Sequence, residues 1–313
     1  MCAFRPERHF MNKSEFQSRL IDNLNARVSP GYSVRVDQIK KNNSVNRPAL
    51  ILHNEKEKDA VISPVVYVDL FYDAYIEGES FNNLADAAWK ILQVQAPKAL
   101  TGVLLDDREY VLSHAVLRLV GRAGNENMLS EFLSREFLDL VVTIGVILLD
   151  DEENGDPQAI SVMPRALFEK LGITEDELFD RARENSRKYL GASLRNMHDF
   201  IGPSARDTGT AMDPAGRELP EIYVLSNRQC YYGAGAILYS DLVRDLAKDL
   251  SADLLVVPSS IHELLVMREQ GKGHADFVRE FVYGINRSEL RPEDILSDSV
   301  YRYSLAEDRL EIA

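Results

Sequence analysis

LDLVVTIGVILLDDEENGDPQAISVM, residues Leu138 to Met163, joins an apolar run to an acidic tip and then to a second extended run. Asn154-Gly155 accepts the positive φ angles of a tight two-residue turn, and the carboxylates around it keep that turn in water. The segment predicts a β-hairpin. Asp150, Asp151, Glu152, Glu153 and Asp156 lack the alternating ligand spacing of a calcium loop, so a solvated turn accounts for them better than a metal does. The apolar arm, Leu138 to Leu149, is shorter than the roughly 20 residues that cross a bilayer as a helix, and reads as buried strand.

On the N-terminal side the pattern is helix, meander, helix. Asn12 and Glu15 form a helix cap with its reciprocal acid, and Phe16, Leu20, Leu24 and Val28 recur every fourth residue. Pro30-Gly31 ends that helix. Tyr32, Val34 and Val36 then alternate as in a half-buried strand, and Ala49 to His53 and Val65 to Asp69 continue an antiparallel meander. Ser80 opens a second helix with Leu84, Ala88, Ile91 and Leu92 on its apolar side, closed by Pro97. Val103 to Leu129 fits strand and helix equally.

On the C-terminal side, Thr174 and Glu177 form a second capping box, with Ile173 and Leu178 as a hydrophobic staple, at the head of a helix to about Tyr189. A short helix is predicted from Ser193 to Phe200. Further on come a strand at Ile222 to Leu225, a helix carrying Leu242, Val243, Leu246 and Leu250, and a buried strand at Leu254 to Val257. A returning strand at Glu263 to Met267, a helix from Ala275 to Ile285, a turn at Pro292 and an extended end at Val300, Tyr301 and Tyr303 complete the chain. These elements predict an α+β protein with mixed or mainly antiparallel sheets and packed helices, in two regions. Residues 202–220, polar and nearly free of apolar side chains, read as a loop or linker between an N-terminal α+β region, 12–201, and a C-terminal one, 221–313; residues 1–11 read as an extension.

The 313 residues are 45% hydrophobic and 27% charged, enough to bury a core without disulfide or metal support. A formal net charge of −14 argues against sequence-independent binding to nucleic acid or to an anionic membrane. The carboxylates are spread along the chain, against an acidic mimic of DNA. Cys2 and Cys230 are the two cysteines, and no Cys-x-x-Cys or His-x-x-x-His spacing is present, so neither a disulfide framework nor structural zinc is expected. Met1 to Phe10 lacks the apolar stretch of a signal peptide, which makes the cytoplasm the expected compartment.

Tyr223-Val224-Leu225-Ser226-Asn227, Gly233-Ala234-Gly235-Ala236-Ile237-Leu238-Tyr239, Pro258-Ser259-Ser260-Ile261-His262-Glu263 and Leu296-Ser297-Asp298-Ser299-Val300-Tyr301 together resemble Domain of Unknown Function 5688, a family of gut Clostridia and their relatives. Arg135-Glu136-Phe137-Leu138-Asp139-Leu140, followed by the acidic hairpin, fits the same family. A more remote similarity, over Leu138 to Met267, is to the YtpQ-type family. The resemblance implies a bacterial, cytoplasmic protein and carries over no catalytic residue.

The densest chemistry lies at Ser260, His262 and Glu263, with Ser259 beside them: hydroxyl, imidazole and carboxylate within one tight connection. A hydrolase needs a nucleophile, a base in hydrogen-bond reach and an acid orienting that base. Sequence neighbours rarely meet that geometry, since in extended chain Ser260 and His262 would stand about 7 Å apart. A turn bonding its own backbone is the alternative. His262-Glu263-Leu264-Leu265-Val266 begins like a zinc-protease signature but has Val266 where the second histidine belongs, and His274 is left as a distant second imidazole. Gly233-Ala234-Gly235-Ala236 lacks the third glycine of a dinucleotide fingerprint, with Leu238 in its place, and reads as close helix packing. Cys230 reads as a small half-buried residue, and Trp89, Tyr72 and Tyr75 as core or groove aromatics. The expectation is a non-enzymatic interaction or regulatory protein with a protein partner, no cofactor and no metal, and with no nucleic acid or membrane; the alternative is a hydrolase working through Ser260, His262 and Glu263.

Overall fold

The computed structural model describes residues 10–54, 65–93, 105–150, 157–200 and 221–313. The chain divides into two compact units, Met1–Lys41 with Asn46–Val103, and Asn42–Val45 with Leu104–Ala313.

In the first unit, helix α1 (Lys13–Asn25) starts at the expected reciprocal cap. Asn12 Oδ1 accepts from the Glu15 N–H at 3.0 Å, and Glu15 Oε2 accepts from the Asn12 N–H at 3.0 Å. A cap of this kind stabilises a helix by about 1 kcal/mol. Phe16, Leu20 and Leu24 point inward from α1 onto Val34 of β1 (Tyr32–Lys40), Leu50 of β2 (Asn46–Asn54) and Val66 of β3 (Val65–Tyr67). The three strands form an antiparallel meander in chain order. The third is shorter than its apolar run, because Val68 already begins helix α2 (Val68–Ile76). Helix α3 (Phe81–Gln93) follows Ser80, whose Oγ accepts from the Asn83 N–H at 3.1 Å. Phe81, Leu84, Ala85, Ala88 and Leu92 are buried. Ile91, expected among them, is exposed, since the buried stripe is centred near Ala88 and leaves position 91 on its rim. Trp89, Tyr72 and Tyr75 are partly buried against this core, and Pro97 lies outside the described residues.

In the second unit, the stretch that fitted strand and helix equally contains both. Helix α4 (Arg108–His114) runs into β4 (Ala115–Gly121), every residue of which is buried, and a single helical turn follows at Glu126–Leu129. Strand β6 (Leu140–Asp150) pairs with β4 along one edge and with β5 (Ser134–Phe137) and then β7 (Pro157–Val162) along the other. The arms of the predicted hairpin therefore pair antiparallel; its acidic tip, 151–156, lies outside the described residues. Helix α5 (Glu175–Asn185) has half the expected capping box. Thr174 Oγ1 accepts from the Glu177 N–H at 3.1 Å, while the Glu177 carboxylate accepts from Arg108 Nη2 at 3.0 Å.

The helix expected from Ser193 to Phe200 is instead strand β8 (Ser193–Asn196) and a 3-10 turn. Pairing with β9 (Ile222–Ser226) overrides the local preference. The remaining strands are β10 (Leu254–Val257), β11 (Leu264–Arg268), β12 (Tyr301–Ser304) and β13 (Arg309–Ile312), in the antiparallel order β13-β12-β10-β11-β9-β8. Helices α6 (Leu242–Leu250) and α7 (His274–Ser288) complete the unit, the latter burying Ala275, Val278 and Val282 on Leu255, Val257 and Met267. The fold is α+β with antiparallel sheets. Residues 201–220, the expected linker, lie outside the described residues, and β8 and β9 on either side of them share one sheet. Among the described residues no helix is long and apolar enough to cross a membrane.

Candidate functional site

Pro258 ends β10, and the chain bends through Ser259, Ser260, Ile261, His262 and Glu263 into β11. Backbone bonds lace this bend to residues 294–297. The Ile261 N–H donates to Asp294 O at 2.9 Å, the Leu296 N–H to Ser259 O at 2.9 Å and the Ser297 N–H to Pro258 O at 2.8 Å. Ser260 is only 2% exposed. Its Oγ accepts from the His262 N–H at 3.0 Å, and its side chain is hydrogen-bonded to Glu263. The hydroxyl is thus engaged within the bend, as in a turn closed by a serine on its own backbone.

The His262 ring is committed in the same way. Its Nδ1 accepts from the Tyr232 N–H at 3.3 Å, which places the proton of the neutral ring on Nε2, 3.4 Å from Asp294 Oδ1. An imidazole that serves as a base toward a nucleophile needs a free lone pair aimed at a hydroxyl or thiol. Among the described residues, no hydroxyl bonds to either nitrogen of His262. The structure therefore brings Ser260, His262 and Glu263 together but does not join them as nucleophile, base and orienting acid.

Burial raises the Glu263 carboxyl above its ordinary 4.5, with Asp294 adding to the rise and His262 and Ser260 opposing it. A carboxyl with a raised pKa in the fold costs nothing below the unfolded value and destabilises progressively as pH climbs through the folded value. Glu263→Gln keeps an acceptor for Ser260 and is expected to raise the urea midpoint at pH 7, the gain vanishing below pH 4.5.

Three of the segments singled out in the sequence converge here. Ser226 Oγ donates to His262 O at 2.8 Å, the Ala234 N–H donates to Ile261 O at 3.2 Å, and a Cβ on Gly233 would sit 2.0 Å from Ser226 Oγ. The Gly233–Leu238 segment is a 3-10 helix packed on β4; a Cβ on Gly235 would lie 3.4 Å from Leu117 O, an ordinary contact, so of the two glycines Gly233 is the one that close approach requires. Asn227, 1% exposed, shapes the loop ahead of it: its Nδ2 donates to Tyr231 O at 2.9 Å and its Oδ1 accepts from the Gln229 N–H at 3.2 Å. The loop presents Tyr231 and Tyr232 to His262, with ring centroids 5.5 and 5.8 Å from the imidazole. Cys230, expected to be half-buried, is exposed in this loop, at φ 52°, with Arg195 Nη2 3.5 Å from its Sγ. The left-handed turn that lifts the tyrosines also turns the thiol outward.

Two further segments meet at Asp139. Its carboxylate accepts from Ser297 Oγ at 2.6 Å, Ser299 Oγ at 2.9 Å and the Tyr301 hydroxyl. Asp298 beside them takes both Nη atoms of Arg287 at 2.7 Å, which holds its carboxyl below the ordinary value. His274 is remote from any such cluster; its Nδ1 accepts from the Gln270 N–H at 3.0 Å. Among the described residues no three metal-ligating side chains gather in one place. Sequence reasoning missed Asp294, Asp139 and Arg118. Arg118 and Asp139 left the same signal, a single charge inside an apolar run, Val116-Leu117-Arg118-Leu119-Val120 and Leu138-Asp139-Leu140-Val141-Val142.

The architecture is antiparallel α+β, and among the described residues the bend is held by hydrogen bonds within the protein itself. The family of unknown function DUF5688 matches residues 13–305, and the chain belongs to that family. No curated protein and no solved structure matches it.

Proposed function

We propose that this chain is a non-enzymatic interaction or regulatory protein of the bacterial cytoplasm that works by binding a partner. The observation that carries this reading is the saturation of the bend: the Ser260 hydroxyl and both ring nitrogens of His262 already have partners in the protein itself. Groups so engaged maintain the junction of β10, β11 and the Tyr231 loop. The net charge of −14 supports a partner other than nucleic acid or anionic lipid.

A hydrolase has one observation in its favour, the Asp294 carboxylate 3.4 Å from His262 Nε2. His262→Ala separates the two. As an architectural residue, its loss frees the Tyr232 N–H and is expected to lower stability by about 1 kcal/mol. No ester, peptide or phosphoester turnover would change. Hydrolysis by the wild type that disappears in His262→Ala at an unaltered melting temperature would end the binding reading. Chemical denaturation and a panel of chromogenic substrates supply both readouts.

A further inference from the structure

Arg118 is a buried cation for which the described protein supplies no anion. Its residue is 8% exposed, and its Nε is fully buried without a hydrogen-bond partner. No described carboxylate pairs with it. The guanidinium lies 3.9 Å from the centroid of the Tyr232 ring.

This placement is built in. Arg118 on β4 stands opposite Thr143 on β6, and Gly145, two residues further along, lies on the same face. The arginine stem crosses Gly145: a Cβ there would fall 3.0 Å from Arg118 Cδ and 2.6 Å from Ile160 Cγ2. A side chain is missing where the arginine needs to lie flat. Above it, Tyr232 adopts φ 51°, a conformation unfavourable for a bulky residue, and is held there by the bond from its N–H to His262. Tyr231 packs edge-on against Tyr232 with centroids 4.7 Å apart and is 57% exposed, so the ring cluster leads from the guanidinium to solvent.

Burying the Arg118 Nε–H without an acceptor is unfavourable, and the aromatic face beside the guanidinium offsets part of that cost. The group presents a planar fork of N–H donors whose geometry matches the oxygens of a carboxylate or a phosphate. We propose that Arg118 anchors a binding site for a small oxyanion, a carboxylate or phosphate monoester, with Tyr231, Tyr232 and His262 as its rim. The proposal deepens the binding reading above and rests on it, by giving the ligand class of the surface next to the bend.

The test uses the full chain, titrated with inorganic phosphate and, separately, with acetate, at an ionic strength kept constant with sodium chloride. The Arg118 Nε–H resonance and the melting temperature are followed. A saturable displacement of that resonance with a rising melting temperature is expected. A response to phosphate alone identifies a phosphate ester, one to acetate alone a carboxylate, and a response to both the shared chemistry. Arg118→Met is expected to weaken the response at least tenfold and, in anion-free buffer, to melt at or above the wild-type temperature, because it removes an unpaired charge from the interior. An unmoved Nε–H resonance with both anions, or a folded Arg118→Met that responds like the wild type, overturns the proposal. If Arg118→Met does not fold, the wild-type resonance alone decides. A silent titration would remove the anion site and leave the non-catalytic reading intact, whereas turnover abolished by His262→Ala would do the reverse.

Discussion

Gly233→Ala is expected to lower the unfolding free energy by about 3 kcal/mol or more, with a matching fall in the urea midpoint. The new Cβ would lie 2.0 Å from Ser226 Oγ, 2.5 Å from His262 O and 2.7 Å from Asn227 N. Removing the serine hydroxyl relieves the first overlap, but the other two are with backbone. That backbone is tied down, since Ser226 donates to His262 O and the Ala234 N–H donates to Ile261 O. The strain has to be taken up by displacing the Tyr231 loop from the bend. Gly284→Ala serves as the control in the same series. It lies inside helix α7 with nothing within 4 Å of the added Cβ, and is expected to stabilise by about 0.5–1 kcal/mol through helix propensity alone. Equal and small effects at both positions would mean that the loop and bend are not packed as described.

Asp139→Ala is expected to cost roughly 3 kcal/mol, because three hydroxyls lose a charged acceptor at once and hydrogen bonds to charged groups contribute more than neutral ones. The turn between β5 and β6 carries this carboxylate, with Leu138 at φ 56°, and the donors lie on the segment entering β12 and on β12 itself. Loss of the contact unties two sheets of the same unit. Tyr301 gives an independent check. Burial, and then the hydrogen bond to Asp139 and its charge, hold its phenol well above the ordinary 10.0. A raised folded pKa means that stability is complete below pH 10.0 and declines as pH rises beyond it. Tyr301→Phe is expected to flatten that alkaline decline while lowering stability at pH 7. An Asp139→Ala midpoint equal to the wild type would show that the carboxylate is solvated and holds nothing together.

Much of the architecture follows from interactions a few residues long. The Asn12 cap, the four-residue spacing of Phe16, Leu20 and Leu24, and the apolar arm of the β6–β7 hairpin each depend on near neighbours, and each reads directly from composition and period. Elements whose state depends on a distant strand did not read in this way. Ser193 to Asn196 carries a helical pattern but is drawn into extended form by Tyr223 to Ser226, and β13 exists because β12 offers it an edge. The Glu177 side chain likewise leaves its expected cap for Arg108, 69 residues away.

The residue list at the bend was legible, but the chemistry of the bend was not. Sequence put Ser260, His262 and Glu263 side by side. Asp294 and the Tyr232 amide, which set the tautomer of His262, arrive from other segments, as do the hydroxyls that cross 158 to 162 residues to reach Asp139. Local periodicity specifies which face of an element is apolar; it carries no information on which buried charge finds a counter-charge. Arg118 is the plainest instance. Its neighbours announce a buried strand, and only the packing of Tyr232 and the bare surface of Gly145 reveal a buried Nε–H with no partner among the described residues.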